Sequence, residues 1–142
     1  MIWAGSHLCL SFKRELFEGI HNFALDTFRL ALYGDNAALS ENTAGYTEAG
    51  ELPPLGGYTT GGAAITVDAP LLVAGTALVP FETVVWSPAS FRARGALCYN
   101  ASRSGMPACF VLDFGATRES NGNLFAVQFP GPDPNAAIVR LR

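Results

Sequence analysis

The segment from Phe28 to Val67 reads FRLALYGDNAALSENTAGYTEAGELPPLGGYTTGGAAITV. At both of its ends apolar residues alternate with other residues, and this period of two is typical of a half-buried β-strand. The 29 residues in between, 34–62, include seven glycines, a Pro-Pro pair, four acids and no base. The sequence therefore predicts two strands joined by one long glycine-rich loop.

A loop of this length is unusual inside a compact domain, and such loops are commonly disordered or become ordered when they bind a partner. Its composition offers little for a core of its own. Tyr46 and Tyr58 are the large aromatic residues within it, and they either tuck under the loop or anchor a partner. We expect the loop to act as an acidic arm that becomes ordered against a neighbouring subunit.

Outside the loop, the pattern predicts one short helix followed by strands. Ser11 precedes Phe12, Leu16, Phe17 and Ile20, spaced as in an amphipathic helix that ends near Gly19. Eight strands are predicted, at residues 27–33, 63–67, 71–79 with a bend at Gly75, 84–86, 91–99, 110–114, 125–129 and 139–141. We predict an all-β fold in one domain, 1–142: an antiparallel sandwich or jelly roll with a short N-terminal helix.

The chain is 49% apolar and only 15% charged, below the ~25% charged residues of an average soluble domain. Such a composition favours assembly with partners. Residues 30–91 hold six acids and no base, whereas residues 92–142 are net basic. This asymmetry is either local variation or head-to-tail complementarity between subunits.

Other partners and compartments are disfavoured. The net charge of −3 and a single lysine argue against nucleic acid binding. No apolar run approaches the ~18 residues of a membrane span, and the first ten residues lack the features of a secretory signal. Cys9, Cys98 and Cys109 form no metal-binding motif and are expected to be reduced, buried and inert. We predict a soluble protein that folds in a reducing cytoplasm.

Candidate catalytic groups are few. His7 falls in a start predicted to be mobile, and His21 is better suited to a structural hydrogen bond with the backbone. The Glu48/Glu51 pair lies in a loop too flexible for acid–base chemistry, and Cys98 and Cys109 read as core residues without a nearby histidine. We predict no enzyme activity, no cofactor and no metal site.

Several runs resemble, in their order along the chain, a family of small structural proteins of tailed bacteriophages. Coverage extends from about Phe12 to the C-terminus. The runs are 12–13, 21–23, 26–33 (DTFRLALY), 38–40, 44–47 (AGYT), 57–62 (GYTTGG), 93–100 (ARGALCYN), 112–115 (LDFG) and 128–130 (QFP).

Within that group the chain is most similar to the cement, or capsid-decoration, proteins of short-tailed phages. The resemblance implies a jelly-roll subunit that binds the capsid exterior as a homo-oligomer, a dimer, and clamps neighbouring major capsid proteins. Residues 1–11 depart from the family pattern, as an extension or arm. An adaptor of the phage neck or tail is the alternative, and a carbohydrate-binding jelly roll is a third.

The predicted contact residues come from the loop and from one later strand. Arg92 and Arg94 alternate with apolar residues, which places the two side chains together on one face. The predicted contacts are Tyr46, Glu48, Glu51, Leu52, Pro53, Pro54, Leu55, Tyr58, Arg92 and Arg94.

Overall fold

The computed structural model describes residues 3–142. Over these residues the chain forms one helix and eight strands, and every pairing between strands is antiparallel. The elements are β1 (His7–Leu8), α1 (Leu10–Phe17), β2 (Phe28–Tyr33), β3 (Ala63–Ile65), β4 (Leu71–Val73), β5 (Thr76–Val79), β6 (Val84–Asn100), β7 (Ala108–Val127) and β8 (Val139–Leu141).

The strands make two open sheets. The larger has the order β1-β7-β6-β2-β3 and the smaller has the order β4-β5-β8. Aromatic side chains join them: Phe81, which follows β5, packs against Phe110 of β7, with ring centroids 5.5 Å apart. Phe23 stacks on Phe28 of β2 at 4.5 Å and also contacts Phe81. The prediction of antiparallel β structure is confirmed.

The predicted helix is confirmed as α1. Phe12 is fully buried, and the helix ends as predicted, because Gly19 adopts a φ of +69° just beyond it. Phe17 is an exception to the predicted apolar side. It lies five residues after Phe12, which turns it about 140° round the helix, and 91% of it is exposed.

Two predicted strand breaks are wrong. The strands predicted at 84–86 and 91–99 are one strand, β6, because Pro88 falls in an irregularity of the ladder between Trp86 and Ala89. A missing N–H at that position interrupts no regular bond.

The strands predicted at 110–114 and 125–129 are likewise one strand, β7. Its polar middle pairs with β6 as an exposed ribbon, with Glu119 opposite Arg92. Polar residues do not end a strand whose face is solvated.

The N-terminal segment is not a free arm over its described part. Trp3 is buried, and His7 and Leu8 form β1, which pairs with Val111 and Phe110 of β7. The expectation of a mobile start around His7 is therefore wrong. Residues 1–2 of the predicted extension lie outside the described residues.

Two glycines with similar backbone conformations test how tightly β2 is packed. Gly62 has a φ of +80°, and a Cβ there would lie 1.9 Å from the Leu30 carbonyl oxygen. Gly75 has a φ of +82° and open space around it. We expect Gly75→Ala to cost about 1–2 kcal/mol of unfolding free energy, and Gly62→Ala to cost substantially more or to prevent folding. Urea denaturation measures both, and equal losses would contradict the packing described.

Candidate partner-binding surfaces

Glu51 is the centre of the long loop, not a free contact residue. Its carboxylate accepts hydrogen bonds from the Tyr46 hydroxyl at 2.5 Å, from the Tyr58 hydroxyl and from the Gly61 N–H at 2.7 Å. Burial raises the pKa of both phenols well above the ordinary tyrosine value, and the Glu51 carboxylate raises it further. Both phenols therefore keep the protons that they donate to Glu51.

Backbone bonds fix the same loop onto the sheet. Leu52 N–H donates to the Leu32 carbonyl at 3.0 Å, and Ser90 N–H donates to the Gly56 carbonyl at 2.8 Å. Tyr58 is buried, with its ring near Trp86. The loop thus packs on its own domain, and the prediction of an arm that awaits a partner is wrong.

Tyr46 is half-buried and stacks on Tyr99 of β6, with ring centroids 4.6 Å apart. Of the two alternatives for the loop tyrosines, the structure shows that both tuck under the loop. The composition of the loop does not show that its two tyrosines donate to the same acid, Glu51.

Arg94, another of the predicted contact residues, is buried inside the fold. It is 4% exposed and pairs with Asp113, with Asp35 3.7 Å from its Nε. Its guanidinium lies 5.7 Å from the centre of the Trp3 ring. Burial alone raises the pKa of Asp113, but hydrogen bonds from the Gly115 N–H and then from Arg94 hold it below its usual range.

Arg94 and Arg92 therefore do not form one basic face as predicted. The ladder between β6 and β7 shifts register between Ala93 and Gly95, and Arg92 is exposed while Arg94 is buried. The pair of Arg94 with Asp35 also shows charge complementarity within the chain, between its acidic segment and its basic C-terminal segment.

Four of the ten predicted residues do meet in a shallow groove, which we call the hairpin groove. It has a volume of about 370 Å³ and lies between the loop and the ribbon of β6 and β7. Its lining is Leu52, Pro53, Leu55, Ser90, Phe91, Arg92, Glu119 and Asn121. Glu48 and Pro54 are exposed on the loop outside this lining. Leu55, 69% exposed, is the most accessible apolar side chain there.

A second apolar surface lies where the sequence predicted no contact. Leu72, Ala77 and Leu141 are register partners across β4, β5 and β8, so they form one row on a face of the smaller sheet. Leu16 and Phe17 of α1 line a groove together with Leu141. We call these five residues, Leu16, Phe17, Leu72, Ala77 and Leu141, the apolar face.

The exposure of this face is high. Phe17 is 91% exposed, Leu72 is 77% exposed and Leu141 is 57% exposed. Contiguous apolar surface on a protein of low charge is characteristic of an interaction site. Sequence patterns missed it because the run Leu71-Leu72-Val73 is apolar on both faces and so has no alternation to read.

Beneath α1 lies a buried polar cluster around His21. Its Nε2 is 2.9 Å from Glu15 Oε1, and its Nδ1 is 3.1 Å from the Asn100 side-chain nitrogen and 3.9 Å from the Cys109 sulfur. His21 therefore makes side-chain bonds, and Cys109 does have a nearby histidine, contrary to expectation.

Cys109, His21 and Glu15 lie in contact in that order. These residue types could in principle serve as a nucleophile, a base and a group that orients the base. The Cys109 side chain is fully buried, and burial raises the pKa of its thiol well above the ordinary value. A neutral, inaccessible thiol is a poor nucleophile. The cluster instead connects α1 with β6 and β7.

All three cysteines are free and buried, as expected. Among the described residues no group of three or more histidine, cysteine, aspartate or glutamate side chains is arranged to hold a metal ion. The one helix within residues 3–142 is too short and too polar to cross a membrane. Comparison with protein-family models, with curated proteins and with solved structures found no match to this chain.

We predict that Glu51→Gln destabilises the protein. Glutamine keeps one acceptor oxygen, so either the Tyr46 bond is lost or the Tyr58 and Gly61 bonds are lost together. The expected loss is about 1–3 kcal/mol of unfolding free energy, measured by urea denaturation. Glu48→Gln is the control, because Glu48 is exposed and a change there is expected to stay within about 0.5 kcal/mol. Equal effects of the two substitutions would contradict the role of Glu51.

Stability should also depend on His21. Burial lowers its pKa, but the contacts with Cys109 and Glu15 outweigh burial and raise it. Of these two partners, Glu15 is the carboxylate, and its contribution can be removed by substitution with glutamine. The contribution of His21 is therefore complete below pH about 6.5, its ordinary pKa, and is lost as pH rises through the raised pKa of the folded protein.

Unfolding free energies between pH 6 and pH 9 measure this dependence. Glu15→Gln should flatten the fall, whereas Glu18→Gln, on the exposed side of α1, should leave it unchanged. A Glu15→Gln profile parallel to that of the wild type would show that Glu15 does not hold the histidine charge.

Proposed function

We propose that this protein is a non-enzymatic structural component of a tailed-phage particle. In this proposal it binds the outside of the capsid as a homo-oligomer and cements neighbouring major capsid proteins. The observation that supports a binding role is the exposed apolar face of α1 and the smaller sheet. The sequence resemblance to capsid-decoration proteins supports the capsid as the partner, and it also leads us to propose a jelly-roll arrangement for the two antiparallel sheets.

Cementing suits a surface of this kind. A single apolar face of a few residues provides moderate affinity, because association also has a cost in translational and rotational freedom. On a capsid lattice the same contact is repeated many times, and linked contacts reinforce one another. A small protein with a firmly packed loop keeps its shape and therefore loses little conformational entropy when it binds.

The alternative of a neck or tail adaptor uses the same kind of surface and differs in copy number. The carbohydrate-binding alternative requires exposed tryptophan or tyrosine on a concave surface. Trp3, Trp86, Tyr33, Tyr58 and Tyr99 are all buried. The burial of these rings favours the capsid proposal over carbohydrate binding.

Quantified electrophoresis of purified virions tests the placement. A decoration protein should approach the major capsid protein in copy number, whereas an adaptor should be present in tens of copies at most, as closed rings require. A low copy number would overturn capsid decoration.

Binding of purified protein to expanded capsids that lack it tests the surface. We expect Leu72→Ser to weaken binding at least about tenfold, since a buried leucine contributes about 1.5–3 kcal/mol. Leu25→Ser is the matched control, because Leu25 is 82% exposed and lies outside the apolar face. Failure of the wild-type protein to bind such capsids would overturn the proposed function.

A further inference from the structure

The groove between α1 and β8 is lined by apolar and positively charged residues, which favour one kind of partner. It has a volume of about 330 Å³, and we call it the basic groove. Its lining is Leu8, Lys13, Leu16, Phe17, Val139, Arg140 and Leu141. Five of these side chains are apolar, so its floor and walls fit a large apolar side chain.

The charged residues in this lining are both positive. Lys13 is exposed on the first turns of α1. Arg140 is half-buried on β8, where its guanidinium donates a hydrogen bond to the Ala137 carbonyl. No carboxylate belongs to the lining. An apolar side chain that enters the groove therefore passes two cations, and acidic neighbours would be attracted to them.

We propose that the basic groove binds an extended protein segment that presents a large apolar side chain flanked by carboxylates. The proposal rests on the proposed function, in which this segment belongs to the major capsid protein. Its two elements are the apolar anchor, which provides affinity, and the flanking acids, which provide orientation and specificity.

A second copy of this chain is the less suitable occupant. In a two-fold symmetric contact the same patch is used by both subunits. Two basic grooves facing each other would bring Lys13 and Arg140 of both copies around one apolar contact. Like charges placed together in an interface are unfavourable.

The test uses the full chain, labelled with nitrogen-15, and three synthetic peptides. The first is GDEFLEDG, the second has lysine in place of each acid, and the third has alanine in place of Phe and Leu. Amide chemical shifts detect even millimolar binding. We expect the first peptide to shift residues 8–17 and 139–142, and the other two to bind at least about tenfold more weakly. Laurate, an acyl chain with a single carboxylate, is the control ligand.

Matched variants locate the binding. Phe17→Ser removes the exposed wall of the groove, and Leu25→Ser is its control. Lys13→Glu reverses one of the two cations, and Arg118→Glu makes the same charge change on β7, outside the groove. We expect Phe17→Ser and Lys13→Glu each to weaken the first peptide about fivefold or more, and the two controls to have no effect.

Several outcomes would overturn the proposal. These are no shifts up to millimolar peptide, equal binding of the acidic and basic peptides, or tighter binding of laurate than of the acidic peptide. Sedimentation that shows a dimer lost in Phe17→Ser would assign the groove to a second copy.

The same variants on expanded capsids separate this proposal from the proposed function. If the wild type binds and both Phe17→Ser and Lys13→Glu bind equally well, the groove proposal fails alone. If the wild type does not bind, the proposed function fails whatever the peptides do.

Discussion

The carboxylate of Glu51 is the interaction on which the arrangement of the long loop depends. It accepts bonds from Tyr46, Tyr58 and Gly61, which lie on both sides of it in the chain. One carboxylate therefore ties together residues 46–61 of the loop, which backbone bonds from Leu52 and to Gly56 hold on β2 and β6. Because its donors are two phenols and one backbone N–H, the acid is satisfied without a cation.

This constraint decides which surfaces are free. With the loop held on β2 and β6, and with Arg94 enclosed by Asp113 and Trp3, the acidic and basic segments of the chain are partly used for internal contacts. The exposed apolar area lies elsewhere, on the short helix α1 and on the smaller sheet. His21 contacts Glu15 of α1 and Asn100 of β6, and so connects the helix to the larger sheet. Phe17 is therefore exposed on a helix that is held in place.

The sequence predicted those parts of the fold that depend on local pattern. The strand at residues 28–33 and the glycine after α1 each reflect one local rule, and both predictions are confirmed. The burial of that strand is not as predicted, because β2 is buried on both faces. The single strand predicted across Gly75 is also wrong, because β4 and β5 are two strands that pair as a hairpin. Pairing between strands that are distant in the sequence was not predictable. The alternation of residues on either side of Pro88 does not show that the pairing of β6 with β7 is irregular at that position. The loop is mispredicted for a different reason: its composition is typical of a flexible segment, and composition does not show that Tyr46, Tyr58 and Gly61 all donate to Glu51. The apolar face was missed because β4 is apolar on both sides.

Hydrogen exchange of the free protein and of the capsid-bound protein tests the central claim most directly. The account predicts that amides of residues 46–62 are already protected in the free protein, and that binding adds protection at residues 10–17, 71–78 and 139–142. If residues 46–62 exchange freely in solution and become protected only on the capsid, the loop is a binding arm after all, and the account is contradicted.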